Sequence, residues 1–200
     1  MKKIGLLGGT FNPVHNGHLQ LAEGAIKLFN LDCVYFIPTG ISYHKEVGYS
    51  PEAEDRLKML ELAIEGNSKF KMSDCDIRRS GATYTIDTIR DMIKIEPGAR
   101  FYWIMGSDAY MDIKKWKDIE TLARYVTFLV ALRRGDNKMK IEIFRDTLPE
   151  YLAETTVLFE WNIQDISSGK IKKDMISKKY LPKKVFEYIR TKGLYQDETR

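Results

Sequence analysis

The sequence predicts an open α/β fold: a doubly wound, mostly parallel sheet with helices on both faces and a small C-terminal helical cap. Three observations carry this. Short apolar runs bounded by glycine or proline alternate with segments of helical periodicity. The connections between them are short. No internal repeat, low-complexity tract or linker interrupts the 200 residues, so a single domain over 1–200 is expected.

The elements follow in order. KIGLLGG (3–9) is a short buried strand. GHLQLAEGAIKLF (17–29) places Leu19, Ala22, Ile26 and Leu28-Phe29 at helical spacing, with Asn16 as the expected N-cap. DCVYFIP (32–38) is a second strand ended by Pro38. PEAEDRLKMLELAIEG (51–66) is a helix opened by proline and acids, with Leu57, Leu60, Leu62 and Ile64 as its apolar side and Gly66 as its stop. KFKMSDCDI (69–77) reads as a third strand and TYTIDTIRDMIKI (83–95) as a helix with Thr83 near its start. ARFYWIMG (99–106) is a fourth strand, SDAYMDIKKW (107–116) helix or loop, DIETLARY (118–125) a short helix and VTFLVAL (126–132) a fifth strand. A helix broken by Pro149 (138–152), a sixth strand (155–161) and a final helix (182–195) ended at Gly193 complete the chain.

Composition narrows the class. Hydrophobic residues make up 44% and charged residues 30%, the balance of a globular protein. No apolar run is long enough to span a membrane, and Met1-Lys2-Lys3 leads straight into a strand rather than a signal peptide, so a cytoplasmic location is expected. Cys33 and Cys75 lie far apart, each in a strand-like run, and read as reduced, mostly buried thiols. The net charge of +4 suits an anionic ligand but does not call for nucleic acid. The basic excess falls late, where GKIKKDMISKKYLPKK carries seven lysines and one aspartate.

GGTFNPVHNGHLQ (8–20) stands where the first strand meets the first helix. A glycine pair lets backbone N–H groups approach a phosphate, and the helix start adds free donors and its dipole. No G-K-[ST] follows, so this is not a P-loop, and G-x-G-x-x-G is absent. Instead His15 and His18 stand where a P-loop supplies lysine, and an imidazole can donate a hydrogen bond to a phosphate oxygen. The plainer alternative is that both rings cap or pack the helix start.

The whole string G-G-T-F-x-P-x-H-x-G-H resembles the nucleotidyltransferase superfamily marked by an H-x-G-H signature. The rest of the chain is similar, in order, to the bacterial nicotinate-nucleotide adenylyltransferases: YHKE (43–46), DIRRSGATYTIDTI (76–89), WIMGSDA (103–109) followed by Trp116, ISSGKIKK (166–173) and VFEYIRTKGLY (185–195). Two departures stand out. Ser42 and Tyr43 replace the family's usual prolines before His44-Lys45, and Gly169 and Lys172 replace a hydroxyl residue and an arginine in the late motif. Lysine supplies charge there without the bidentate fork.

The resemblance implies a Rossmann-like fold and transfer of the adenylyl group of ATP to nicotinate mononucleotide, with Mg2+ bound through the ATP phosphates and no metal site of the protein's own. It implies His15, His18 and Lys45 as catalytic residues. Gly8, Gly9, Thr10, Phe11, His15, His18, Gly106, Asp108, Arg133, Ser167, Ser168 and Lys172 would bind ATP. Thr10, Lys45, Tyr84, Thr85 and Trp116 would bind the mononucleotide. Each has a plainer reading: Lys45 as a solvated lysine, Tyr84-Thr85 as an ordinary helix start, Trp116 as core. Partners are then ATP and nicotinate mononucleotide, without nucleic acid or membrane, and a homo-oligomer stays open. The rival enzymes adenylylate nicotinamide mononucleotide or phosphopantetheine. A nucleotide sensor and a basic RNA-binding module are the non-catalytic rivals, disfavoured by the paired histidines and by the lack of an aromatic-and-basic RNA signature.

Overall fold

The computed structural model describes residues 1–40, 52–133, 135–163, 166–173 and 178–195. Six strands form one sheet: β1 (Lys3–Gly9), β2 (Cys33–Pro38), β3 (Phe70–Met72), β4 (Arg100–Gly106), β5 (Val126–Leu132) and β6 (Thr156–Glu160). Their order is β3-β2-β1-β4-β5-β6, and every neighbouring pair is parallel. The alternation of strands and helices in the sequence requires this, because parallel neighbours can be joined only by crossovers.

Helices cover both faces. On one side α1 (Asn16–Phe29), α2 (Ala53–Ile64), α9 (Ser168–Lys173) and α10 (Lys183–Lys192) pack on Leu7, Phe36, Ile104 and Leu129. On the other, α4 (Thr85–Ile95), α6 (Ile119–Tyr125), α7 (Lys138–Asp146) and α8 (Glu150–Glu154) pack on Leu6, Ile37, Trp103 and Phe128. Successive residues of each strand feed opposite cores, as the pleat dictates for a sheet covered on both faces. Two further short helices, α3 (Cys75–Arg78) and α5 (Ser107–Tyr110), sit near the carboxyl ends of β3 and β4. The C-terminal cap is α10 laid on α2, tied by Tyr188 donating to Asp55 (2.7 Å) and by Lys184 to Glu65 (2.6 Å).

Several expectations are corrected. The third strand ends at Met72 opposite Phe36; Ser73 N–H makes a last bond to Phe36 O (3.0 Å), and Cys75 then opens a helix. Cys33 is buried and Cys75 half-buried. α4 begins at Thr85 with Tyr84 as its N-cap, leaving Thr83 outside. Asn16 is the first helical residue rather than the N-cap; His15 holds that place in extended conformation. Leu28 is 48% exposed, because the turn at Asn30 ends the helix with that face in solvent. The inward face of α2 is Arg56, Met59 and Leu60, not a purely leucine stripe. No helix among the described residues is long and apolar enough to cross a membrane.

The buried face sets a stability test. Leu129 is fully buried in the middle of the sheet, so Leu129→Ala should cost about 2–5 kcal/mol in urea unfolding. Leu28→Ala, on the exposed side of α1, should cost less than about 0.5 kcal/mol. Equal losses would contradict the burial described.

Candidate active site

β1 and β4 lie side by side, and the chain leaves them toward opposite edges of the sheet. In such sheets ligands bind beyond the carboxyl ends of the strands at this switch point. The turn at residues 10–15 follows β1 there, and Gly106, Asp108 and Arg133 follow β4 and β5.

The histidines are held by the backbone. His15 N–H donates to His18 Nδ1 (3.2 Å), and His18 N–H donates to His15 O (2.9 Å). The two rings stack with centroids 3.7 Å apart, and Phe11 meets His18 edge-on at 5.0 Å. Because Nδ1 of His18 accepts a hydrogen bond, its proton sits on Nε2 in the neutral ring, and Nε2–H is left as a donor. Burial, then the neighbouring Arg133 guanidinium, pushes His15 down to about 4. Burial, His15 and Arg133 together hold His18 well below the usual imidazole range. Both rings are therefore neutral at pH 7. His15 Nδ1 is buried with no hydrogen-bond partner among the described residues.

Gly8 is also constrained by packing across the sheet. A Cβ on Gly8 would come within 2.8 Å of the Trp103 ring, so Gly8 is required by packing against that indole. Trp103 in turn meets Trp116 edge-on at 6.1 Å, which links the β1 turn to the segment carrying Trp116. Trp116 is half-buried against the core rather than standing on a fully exposed segment. Lys117 Nζ lies 4.1 Å over the Tyr84 ring, bringing the start of α4 alongside. Tyr84 and Trp116 pack against the same side of the core.

On the other side, Arg133 Nη2 lies 3.3 Å from both carboxylate oxygens of Asp108. A Cβ on Gly106 would fall 2.7 Å from Asp108 Oδ1 and 3.1 Å from Arg133 Nη2, so a side chain there would displace the Asp108–Arg133 pair. A cavity of about 480 Å3 opens here, lined by Arg133, Asp136, Glu160, Trp161 and Ile163 among others. The late motif reaches the same turn from behind. Ser168 Oγ donates to Pro13 O (3.1 Å), while Ser167 Oγ accepts from Lys170 N–H (3.2 Å) and so caps α9. Lys172 Nζ lies 5.4 Å over the Tyr195 ring, whose hydroxyl donates to Asn12 Oδ1 (2.6 Å). The expected loop residue Lys45 lies outside the described residues.

Two residues beside the site escaped the sequence. Arg56 is 7% exposed and donates from Nη1 to Thr10 O (3.0 Å) and Thr39 O (2.7 Å), binding together the ends of β1 and β2. Among the described residues it has no carboxylate partner, so its charge is left to the neighbouring turn. The signal was present: Arg56, Met59 and Leu60 share the i, i+3, i+4 spacing of a buried face. Asp76, 3% exposed, accepts from Thr88 Oγ1 (2.8 Å) and Arg79 Nη2 (3.2 Å), and Arg79 also bonds Asp91 (2.6 Å). Burial raises the Asp76 carboxyl and these partners oppose the rise. The pair fixes α4, and with it Tyr84 and Thr85, against α3.

Residues 6–174 match the cytidylyltransferase-like family. The chain is 41% identical over 198 residues to a protein of Neisseria meningitidis named "probable nicotinate-nucleotide adenylyltransferase", covering 98% of this chain and 100% of that one. It is 40% identical to a Synechococcus protein of the same name, covering 98% and 96%. The fold also matches Plasmodium falciparum nicotinic acid mononucleotide adenylyltransferase, solved in complex with NaAD, at a TM-score of 0.74 and 22% identity over 98% of each chain. The chain belongs to the cytidylyltransferase-like nucleotidyltransferases and, within them, to the nicotinate-nucleotide adenylyltransferases.

The neutral histidines predict a pH signature. A histidine in the unfolded chain takes up its proton near pH 6.5, whereas folded His15 does so only at about 4. Folding stability contributed by His15 is therefore complete above pH 6.5 and is lost as pH falls from 6.5 toward 4. The loss attributable to His15 should reach about 3 kcal/mol. The stability difference between wild type and His15→Gln should change by about this amount between pH 7 and pH 4 in denaturant unfolding. A difference independent of pH would contradict a buried neutral His15.

Proposed function

We propose that this chain transfers the adenylyl group of ATP to nicotinate mononucleotide, releasing pyrophosphate and forming nicotinate adenine dinucleotide, a step in NAD biosynthesis. The observation that carries the reading is the backbone-fixed His18 ring, which presents a neutral Nε2–H at the start of α1 over the β1 turn. The whole chain, 1–200, works in this reading as one nucleotidyltransferase domain in the cytoplasm, with ATP and nicotinate mononucleotide as its partners.

The nucleophile is a phosphate oxygen of the mononucleotide. A phosphomonoester has its second pKa at about 6, so it is already largely a dianion at neutral pH and needs no general base. Catalysis then consists of positioning and of stabilising charge at the α-phosphorus. His18 donates from Nε2 to the α-phosphate. His15 and the backbone of Gly8, Gly9, Thr10 and Phe11 line the same cradle. Gly106, Asp108 and Arg133 meet the nucleoside side. Ser167, Ser168 and Lys172 serve the leaving phosphates, with Lys45 reaching in from its loop. Thr10 and Lys45 also face the mononucleotide. Tyr84 and Thr85 offer helix-start donors to the nicotinate carboxylate, and Trp116 stacks on the pyridine ring.

Among the described residues no group of three or more His, Cys, Asp or Glu could hold a metal. Asp108, engaged with Arg133, is a carboxylate at the rim beside which Mg2+ would be held mainly by substrate phosphates and water, as that ion prefers. When bound, Mg2+ neutralises charge on the triphosphate.

Pyrophosphate release from ATP, assayed with nicotinate mononucleotide and with its amide, tests the reading. His18→Ala should remain folded and lose about 100- to 1000-fold in kcat; near-normal turnover would remove His18 from the mechanism. The acid should be preferred over the amide by about 100- to 1000-fold in kcat/KM, because the amide forfeits a charged hydrogen bond and turns an NH2 group toward N–H donors. Trp116→Ala should weaken both substrates and keep their ratio. Equal efficiencies in the wild type would defeat the carboxylate site.

A further inference from the structure

We propose that Asp136 is a positioning residue for the ATP side of the site: one carboxylate oxygen ties the loop after β4 to the loop after β5. The inference rests on the reading of Gly106, Asp108 and Arg133 as the nucleotide side.

The sheet alone does not fix these loops. The β4–β5 ladder ends with Gly106 opposite Ala131, and the residues that carry the site lie beyond it. Asp136 Oδ2 accepts from Ser107 Oγ–H (2.5 Å) and from Arg133 N–H (2.6 Å). Asp136 N–H returns a hydrogen bond to Arg133 O (3.0 Å), so Asp136 holds Arg133 at both its N–H and its C=O. Ser107 is 5% exposed and opens α5, one residue before Asp108. Both nucleotide-side loops therefore hang from one carboxylate.

The tie explains a close fit that neither loop would keep alone. Arg133 Nη2 reaches both Asp108 oxygens at 3.3 Å, and the pair lies directly over Gly106, so a side chain there would displace it. The Arg133–Asp108 pair is solvent-accessible, and exposed ion pairs of this kind hold little by themselves. Two hydrogen bonds converging on one Asp136 oxygen set the backbone from which the weaker pair is hung. Asp136 also lines the 480 Å3 cavity beside Arg133, so displacing it would move the cavity wall and the guanidinium together. Among the described residues its side chain bonds Ser107 and Arg133 and not Tyr84, Thr85 or Trp116, so its influence should be confined to one substrate.

The test compares Asp136→Ala with Asp136→Asn. Asparagine keeps one carbonyl oxygen able to accept from both Ser107 and Arg133 but carries no charge. Asp136→Ala should raise the KM for ATP about tenfold or more, leave that for nicotinate mononucleotide within about twofold, and weaken calorimetric binding of ATP by the same factor. Asp136→Asn should recover most of the loss. A merely structural role would lower thermal stability and shift both substrates together, and that result would overturn the proposal. So would an asparagine variant as impaired as the alanine variant, since charge rather than the tie would then be at work. Unchanged ATP binding in Asp136→Ala, beside a working wild type, would overturn the proposal alone. A wild type that neither binds ATP nor releases pyrophosphate would overturn the functional reading and this proposal with it.

Discussion

The adjacency of β1 and β4 governs the molecule. The first strand is laid in the middle of the sheet, later strands are added on one side up to β3, and the chain then crosses to the other side at β4. Right-handed crossovers send the two halves over opposite faces and leave a crevice at the carboxyl ends of β1 and β4. The β1 turn, the Asp108 loop and the Arg133 loop converge there because each follows a strand that ends there. The C-terminal segment closes the arrangement by bringing Tyr195 onto Asn12 and Ser168 onto Pro13.

The electrostatics of that crevice separate donors from charges. Two imidazoles stacked at 3.7 Å beside an arginine cannot both be cations, so burial and Arg133 keep them neutral. A neutral ring with a fixed tautomer is a directed donor whose state does not vary with pH near 7. Formal positive charge is carried instead by Arg133, Lys172 and Arg56 around the turn. Arg56 does so while its Nη1 bonds two carbonyls, so one side chain both braces the turn and contributes charge to it. Charge at the edge and neutral donors at the centre suit a reaction in which a dianion attacks a polyanion.

What the sequence disclosed depended on the range of the interaction. The strands 3–9 and 126–132 were legible to the residue, because continuous apolar runs flanked by turns leave few alternatives. Pairing at a distance was not. The third strand was drawn too long because the apolar spacing of KFKMSDCDI does not reveal that its ladder ends at Met72. Asn16 is a better intrinsic cap than His15, yet His18 three residues on supplies the acceptor and the helix starts one residue early. The histidines and Trp116 were legible through motif resemblance. Arg56, Asp76 and Asp136 were not, because partners such as Thr10, Thr88 and Ser107 lie on other elements. The packing constraint on Gly8 was not legible either, since its neighbour is Trp103 from β4.

The central claim is that burial, His15 and Arg133 hold His18 neutral and that the N–H of His15 fixes its proton on Nε2. Imidazole 15N chemical shifts, with two-bond couplings to the ring protons, report charge and tautomer directly. Followed from pH 5 to pH 8 in the ligand-free protein, they should show His18 with an unprotonated, hydrogen-bonded Nδ1 and a protonated Nε2 throughout. A His18 that becomes imidazolium near pH 6.5, or that carries its proton on Nδ1, would contradict the account.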